Sequence, residues 1–252
     1  MAKRFAGAWK ESKEDRGMLK HQAGKPAVPL YYVDFNAVSP ASATEINTLF
    51  ELSAPEVRFV DGGIIGGPPS IRDQEKDDWY KPSLVCSGPN RIGEADLGGK
   101  QLADLINIRH VAPGIGSASG LKMCFASVNK GLTALAVLSY TTAHNLGVLP
   151  ELRSHLPEYS PLVGKAIEGG LPNMPPKAYR WVAEMQEIAN TFHEVSGFGK
   201  EMFEGARDIY ELVADDTELG KEKTEERNRG KTSDDVALLV AEGLAKKKQK
   251  MD

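Results

Sequence analysis

The 252-residue sequence has little that would suit a secreted, metal-stapled or nucleic-acid-binding protein. Its two cysteines, Cys86 and Cys124, form no CxxC motif and its histidines show no metal-ligand spacing, so we expect neither a disulfide framework nor a structural metal site. Neither charge is in large excess, because 31 Lys and Arg face 35 Asp and Glu. No global basic field would then attract nucleic acid or an anionic membrane, and we expect a small molecule or another protein as partner.

The N-terminal end has no uninterrupted apolar run. Residues 1–25 mix basic and acidic side chains, so we expect neither a secretory signal nor a membrane span there. A reducing, cytoplasmic location fits this composition and the low cysteine count best. Glycines and prolines interrupt any long period over residues 1–29, which favours a weakly ordered segment.

From Leu30 onward the sequence carries the pattern of an α/β unit, which we assign to residues 30–113. The apolar and aromatic run Leu30–Phe35 predicts a buried strand, and Ser39 followed by Pro40 is typical of a helix N-terminus. Further strands are predicted at 57–61, 83–88 and 106–111, with a helix at 97–106 before the last of them. This alternation indicates a largely parallel sheet.

The longest regular segment predicts a single helix that ends at Leu146, before Gly147. At 1.5 Å per residue it would be about 45 Å long, enough to join two domains. An apolar stripe along it requires a packing partner and consists of Leu121, Phe125, Val128, Leu132 and Leu135. The sequence beyond is helical throughout, so we predict a helical domain over 114–214. A charged tail over 215–252 completes the chain, with one last short helix indicated near Val236–Leu244.

Three motifs occur in order along the chain: YVDFNAVSP at 32–40, FVDGGIIGG at 59–67 and GSASGLKMC at 116–124. Together they resemble the β-hydroxyacid dehydrogenase and 6-phosphogluconate dehydrogenase superfamily, in the branch with a phosphogluconate-dehydrogenase-type, NAD-binding C-terminal domain. The ordered triplet is more specific than a single glycine motif. The resemblance covers 30–213 and implies α/β followed by all-α: a partial Rossmann-like parallel sheet joined by a long helix to a 6-phosphogluconate-dehydrogenase-like helical domain.

The resemblance implies an oxidoreductase that transfers a hydride with NAD or NADP. In the family, a lysine six residues after a glycine acts as general acid or base on the substrate hydroxyl, and Gly116 and Lys122 keep that spacing. Loss of the hydride requires removal of the hydroxyl proton, which such a group performs. The alternative for Lys122 is a lysine that extends from a half-buried helix face into solvent. The family's asparagine four residues on is replaced by Ala126, and Asn129 on nearly the same face is the candidate substitute.

Further substrate and cofactor contacts follow from the same resemblance. Gly66 and Gly67 match the glycine pair of the family's substrate-binding loop, although Ile65 stands where a serine would donate to the substrate carboxylate. Their amides could bind an anion, and a simple tight turn is the alternative. Arg180, at a helix start, is a candidate for a substrate carboxylate or phosphate, against a solvated helix face. Cofactor contacts are expected at Asn36, Ser39 and Gly116.

The GxGxxG turn, which in the family lays the pyrophosphate of the dinucleotide on a helix N-terminus, has no counterpart in this sequence. The resemblance therefore implies that the chain enters its fold partway through the nucleotide domain. Two hypotheses follow. One is a dehydrogenase that acts on a small-molecule hydroxyacid, and the other is a non-catalytic truncated remnant that acts as a helical dimerisation module. Because the family's helical domains commonly form dimers, we expect a homodimer in either case.

Overall fold

The structure is a computed structural model that describes residues 1–12, 29–96 and 98–251. The chain divides into two compact units, Met1–Phe125 and Ala126–Asp252. The division falls inside the long helix, later than the boundary after residue 113 that the sequence pattern indicates. Each unit is described by itself below.

The first unit is built around a four-stranded sheet. Its elements are α1 (Ala2–Glu11), β1 (Leu30–Asp34), α2 (Pro40–Ser53), β2 (Val57–Ile65), β3 (Ser70–Asp73), β4 (Asp78–Tyr80), β5 (Ser83–Ser87), α3 (Gly99–Leu105) and β6 (Ile108–Ala112), followed by the first turns of α4 (Ser117–Leu146). The strand order is β1-β2-β5-β6. The N-terminal α/β architecture predicted from the sequence is therefore confirmed.

Two of the three neighbouring strand pairs in the sheet are parallel, as expected, and the central pair is antiparallel. β1 pairs with β2 and β5 with β6 in parallel, whereas β2 and β5 are antiparallel. The segment between β2 and β5, which reads as a polar stretch, forms the hairpin β3–β4. Antiparallel neighbours need no crossover helix, so this hairpin is sufficient to connect the two central strands.

Local signals in the sequence set the start of α2 as predicted. The hydroxyl of Ser39 accepts a hydrogen bond of 3.1 Å from the N–H of Ser42, and Pro40 is the first helical residue. Ser39 is buried at the point where β1 passes into α2. The cap thus satisfies a helix donor that burial would otherwise leave without a partner.

An aromatic cluster forms one core of the first unit. The ring of Phe50 lies 4.6 Å from that of Tyr32 and 5.4 Å from that of Phe59, between ring centroids. Phe5 of α1 joins them at 4.9 Å from Tyr32. The expectation of a weakly ordered segment over 1–29 therefore does not hold for α1, because its apolar face packs on this cluster. Residues 13–28 lie outside the described residues.

The second unit is helical throughout its described part. It contains the remainder of α4, then α5 (Leu149–Tyr159), α6 (Pro161–Asn173), α7 (Ala178–Ser196), α8 (Glu201–Asp215) and α9 (Ser233–Met251). Its core holds the fully buried side chains of Tyr140, Met185, Ile188, Tyr210 and Val213. The helical C-terminal domain predicted from the sequence is therefore confirmed.

The last helix is longer and better packed than the predicted charged tail over 215–252. Val236, Leu239 and Val240 of α9 are buried in the second unit. These residues recur at three- and four-residue spacing, which places them on one helix face. Lys246, Lys247 and Lys248 are exposed further along the same helix, so the charged sequence near the C-terminus contains a packed element.

The apolar stripe of α4 stays exposed in the single chain. Val128 is 71% exposed and Leu135 58% exposed, while the opposite face of the helix buries Met123, Val137 and Tyr140. By length and composition α4 could also cross a membrane, a property that core helices of soluble proteins share. Four of the five residues of the stripe are thus exposed, and Leu132 is half-buried.

The packing of α1 predicts a measurable contribution to stability. Replacing Phe5 by Ala removes an aromatic contact with Tyr32 and Phe50, and we expect the free energy of unfolding to fall by about 2 kcal/mol. Urea unfolding followed by circular dichroism measures this change. The exposed Lys3 on the same helix, changed to Ala, serves as the control. Equal stabilities of the two variants would show that α1 does not pack on the aromatic cluster.

Candidate functional site

A buried carboxylate lies at the N-terminus of the long helix. One oxygen of Asp61, Oδ2, accepts hydrogen bonds from three backbone N–H groups, those of Gly116 at 3.0 Å and of Ala118 and Ser119 at 3.1 Å each. The hydroxyl of Ser87 donates to the same oxygen at 2.8 Å, and the hydroxyl of Ser119 donates to Oδ1 at 2.5 Å. Five donors therefore converge on one side chain of β2.

This arrangement anchors α4 to the sheet. The first N–H groups of a helix have no partner inside it, and the helix dipole favours a negative charge at that end. Asp61 supplies both the acceptor and the charge from a strand more than fifty residues earlier. The helix N-terminus, which is otherwise a ready site for a bound phosphate or carboxylate, is thus occupied by the protein's own anion.

The turn that leads into α4 depends on Gly116. Its φ angle is +90°, and a Cβ there would lie 3.1 Å from the backbone oxygen of Pro40. Both the backbone conformation and the close approach exclude a larger residue. Next to Asp61, burial and the aspartate charge raise the pKa of Cys86 to about 12, which leaves this thiol protonated and unreactive at neutral pH.

Lys122 lies one helical turn after Ala118 and is held against β2. Its Nζ donates a hydrogen bond of 2.7 Å to the carbonyl oxygen of Ile64. A Cβ on Gly63 would lie 2.9 Å from the Cβ of Lys122 and 3.3 Å from the carbonyl oxygen of Ala118. Only glycine therefore allows the helix to approach the strand this closely, and the lysine side chain runs along the end of β2.

The glycine pair after β2 forms a turn that the hairpin closes. Gly66 has a φ angle of +111°, and a Cβ on it would collide with the hydroxyl of Tyr80. The N–H of Gly67 donates to the same hydroxyl at 3.2 Å. The predicted use of this amide for a substrate anion is thus not available in this conformation, since Tyr80 holds it. The structure brings Lys122, Gly66 and Gly67 to the same end of β2.

The three predicted cofactor contacts use their polar groups within the protein. The backbone N–H and side-chain amide of Asn36 both donate to Asp34, the hydroxyl of Ser39 caps α2, and the N–H of Gly116 donates to Asp61. These residues do not form a cradle for a pyrophosphate at the N-terminus of α2 or α4. That Asn36, Ser39 and Gly116 contact a cofactor therefore stays a prediction.

Asn129 and Arg180 belong to the second unit. Asn129 is exposed on α4, and Arg180 is exposed in the first turn of α7. Immediately before α7, burial and the charges of Arg180 and Arg227 lower the pKa of Lys177. The roles of Asn129 and Arg180 in substrate binding stay predictions.

Sequence reasoning missed Asp61, Ser87 and Tyr80. An acidic residue in the middle of the apolar run of β2 was a signal that could have indicated Asp61, because a buried carboxylate requires donors. Ser87 and Tyr80 carried no such signal. Their partners are distant in sequence and depend on the antiparallel pairing of β2 and β5.

Comparison with known proteins identifies the fold. Residues 143–213 match a domain of unknown function, DUF1932. No curated protein matches the chain. A conserved hypothetical protein from Sinorhizobium meliloti 1021 is similar in structure, with a TM-score of 0.58 and 19% identity over 84% of this chain and 66% of that one.

Two further solved structures are similar to this chain. The conserved protein MTH1747 of unknown function, reported as similar in structure to 3-hydroxyacid dehydrogenases, has a TM-score of 0.52 and 25% identity over 73% of this chain and 66% of that one. The 3-hydroxyisobutyrate dehydrogenase of Mycobacterium tuberculosis, solved with L-serine, has a TM-score of 0.51 and 15% identity over 85% of this chain and 70% of that one. The chain thus spans about two thirds of the length of the structures that it matches.

These findings support the fold that the resemblance implies. An α/β unit followed by a helical unit is the architecture of the 3-hydroxyacid dehydrogenase-like proteins, and the chain has that fold. The likeness to these structures shows the fold, whereas membership of an oxidoreductase superfamily, activity, substrate and cofactor are matters for proposal.

The anchoring role of Asp61 predicts a large loss of stability on its removal. Asp61→Ala leaves five donors without their shared acceptor, and we expect the free energy of unfolding to fall by roughly 3 kcal/mol or more. Asp61→Asn keeps one acceptor oxygen, so its free energy of unfolding should lie between those of the wild type and of Asp61→Ala. Asp73→Ala, which breaks an exposed pair with Lys76 at 2.9 Å, is the control and should change little. A loss no greater in Asp61→Ala than in this control would contradict the anchor.

Proposed function

We propose that the chain is an NAD(P)-dependent oxidoreductase of the hydroxyacid dehydrogenase type, in which Lys122 is the general acid and base. The observation that supports this most is the position of Lys122, held to the carbonyl of Ile64 at 2.7 Å beside the glycine turn at Gly66. The relation in fold to 3-hydroxyacid dehydrogenases supports the same reaction class.

Lys122 has the chemistry that the reaction needs. Oxidation of an alcohol carbon requires a base that takes the hydroxyl proton, and reduction requires an acid that returns it, both of which one amine can supply. A fixed position improves such a transfer, because the reacting groups are then held in the productive geometry. The carbonyl of Ile64 and the close contact with Gly63 provide that position. The substrate is a small hydroxyacid, for which the solvent-exposed turn at the end of β2 leaves access.

The cofactor side has less support from the described residues. A nicotinamide dinucleotide would supply the hydride acceptor, but the N-terminus of α4 already holds Asp61 and that of α2 is capped by Ser39. The described residues do not fit the pyrophosphate at these two helices, and the choice between NAD and NADP stays open. The proposal therefore rests on the substrate side of the site.

Cofactor binding and turnover test the proposal separately. We expect the purified chain to change the fluorescence of NADH or NADPH saturably, and Lys122→Ala to bind the same cofactor with similar affinity. Turnover of 3-hydroxyisobutyrate should fall roughly 100-fold or more in Lys122→Ala, as for the loss of a general base. Lys100→Ala, on the exposed face of α3, is the matched control. An absence of binding for both cofactors would exclude the dehydrogenase function for this chain.

A second candidate function is a non-catalytic module that dimerises through the helical unit. The exposed face of α4 favours it, because the residues on this face alternate at four- and three-residue spacing. They are Leu121, Phe125, Val128, Leu132, Leu135, Ser139, Thr142 and Leu146, of which Leu132 is half-buried and the others are exposed. A spacing that averages 3.5 residues is the repeat by which helices pair side by side. We propose a homodimer through this face, in a cytoplasmic protein whose two cysteines form no disulfide with each other.

Disruption of the exposed face tests the dimer. Val128→Glu introduces a charge in the middle of the stripe, and we expect the chain to change from a dimer to a monomer of 27.4 kDa in light scattering after size exclusion. Val195→Glu, at a valine that is 69% exposed on α7, is the matched control and should leave the dimer intact. A wild-type monomer at all concentrations, or a Val128→Glu dimer, would rule out this interface.

A further inference from the structure

The hairpin β3–β4 carries a cation and a phenol to the glycine turn. The guanidinium carbon of Arg72 lies 5.2 Å from the centroid of the Tyr80 ring, within the range of a cation–π contact. Tyr80 in turn contacts the turn through its hydroxyl, which accepts the N–H of Gly67 at 3.2 Å. Arg72 is therefore held at the turn through Tyr80 as well as through its own strand.

Both side chains keep unused donors. Because the Tyr80 hydroxyl acts as acceptor for Gly67, its own proton is left to donate, and no acceptor for it occurs among the described residues. Arg72 is exposed, and no carboxylate of the described chain forms an ion pair with it. Lys76 of the same hairpin differs in this respect, since it pairs with Asp73.

The residues around Arg72 and Tyr80 favour a carboxylate as the group that these donors bind. Ile65, immediately before the turn, offers no hydroxyl to a substrate carboxylate, and Gly67 has already used its N–H. A guanidinium together with a hydroxyl is a strong donor pair for a carboxylate, because arginine can bind both of its oxygens. Lys122 contacts Ile64, three residues before Gly67, so the two contacts lie at most roughly 11 Å apart along the chain.

We propose that Arg72 and Tyr80 form the acid-recognising part of the substrate site, binding the carboxylate of a hydroxyacid at the Gly66–Gly67 turn. This inference rests on the proposed dehydrogenase function and specifies its substrate class as a carboxylate with a nearby hydroxyl. Arg72 supplies the charge, and Tyr80 orients it and donates the second hydrogen bond. The hairpin that separates β2 from β5 is then the element that determines specificity.

Binding of a probe acid tests this without cofactor or turnover. We would titrate the wild-type chain with 3-hydroxyisobutyrate and with its uncharged methyl ester, and follow the amide resonances of Gly66 and Gly67 by NMR. The acid should shift these resonances saturably, and the ester should bind about tenfold more weakly or worse. Arg72→Gln should weaken binding of the acid by a similar factor and leave binding of the ester unchanged, and Tyr80→Phe should have a smaller effect.

Arg58→Gln is the matched control. Arg58 also lies over a tyrosine ring, at 5.3 Å from the centroid of Tyr31, but at the start of β2. Its replacement should leave acid binding unchanged, and thermal unfolding would verify that each variant is folded. Acid binding by Arg72→Gln at wild-type affinity, an ester that binds as tightly as the acid, or no response of the turn to the acid would overturn the inference. Failure of the dehydrogenase function itself would appear instead as absent cofactor binding and turnover.

Discussion

The convergence of five donors on Asp61 is the interaction on which the candidate site depends. Without an acceptor, the buried N-terminus of α4 would leave several N–H groups unsatisfied, each at a cost of about 1–3 kcal/mol. With Asp61 in place, its hydrogen bonds fix where α4 begins relative to β2 and how the helix is rotated about its own axis. Lys122 then reaches Ile64, and Gly63 provides the space for its stem. A bond at residue 61 thus determines where an amine at residue 122 lies.

The same bond limits what the helix can do. A helix N-terminus binds one anion well, and here that anion is the protein's own carboxylate. In enzymes that bind a dinucleotide, a helix N-terminus can bind a phosphate or can position a nearby side chain. In α4 the N-terminus positions a side chain and is not a phosphate site. The described residues therefore support the substrate site of the proposed function more than the cofactor site. Of these two sites, only the substrate site has hydrogen-bond donors that remain available among the described residues.

Local signals in the sequence predicted most of the elements, and non-local pairings account for what was missed. Ser39 with Pro40 and Gly147 marked helix ends correctly, because capping depends on residues close in sequence. The antiparallel pairing of β2 with β5 could not be predicted from alternation, which carries no information about strand direction. Lys122 could be found by its spacing from Gly116, whereas Tyr80 could not, since its contact with Gly67 depends on how the hairpin folds back.

The exposed face of α4 and the anchored end of the same helix place different demands on one element. The N-terminal turns are specified by buried polar bonds, which tolerate little change in position. The later turns bury one apolar face and expose another with a repeat of 3.5 residues, which suits an apolar partner surface. The residues proposed for the dimer from Val128 onward are distinct from those that hold Lys122, namely Ile64 and Gly63. Dimerisation and catalysis are therefore compatible in this chain, and a dimer alone does not argue against an enzyme.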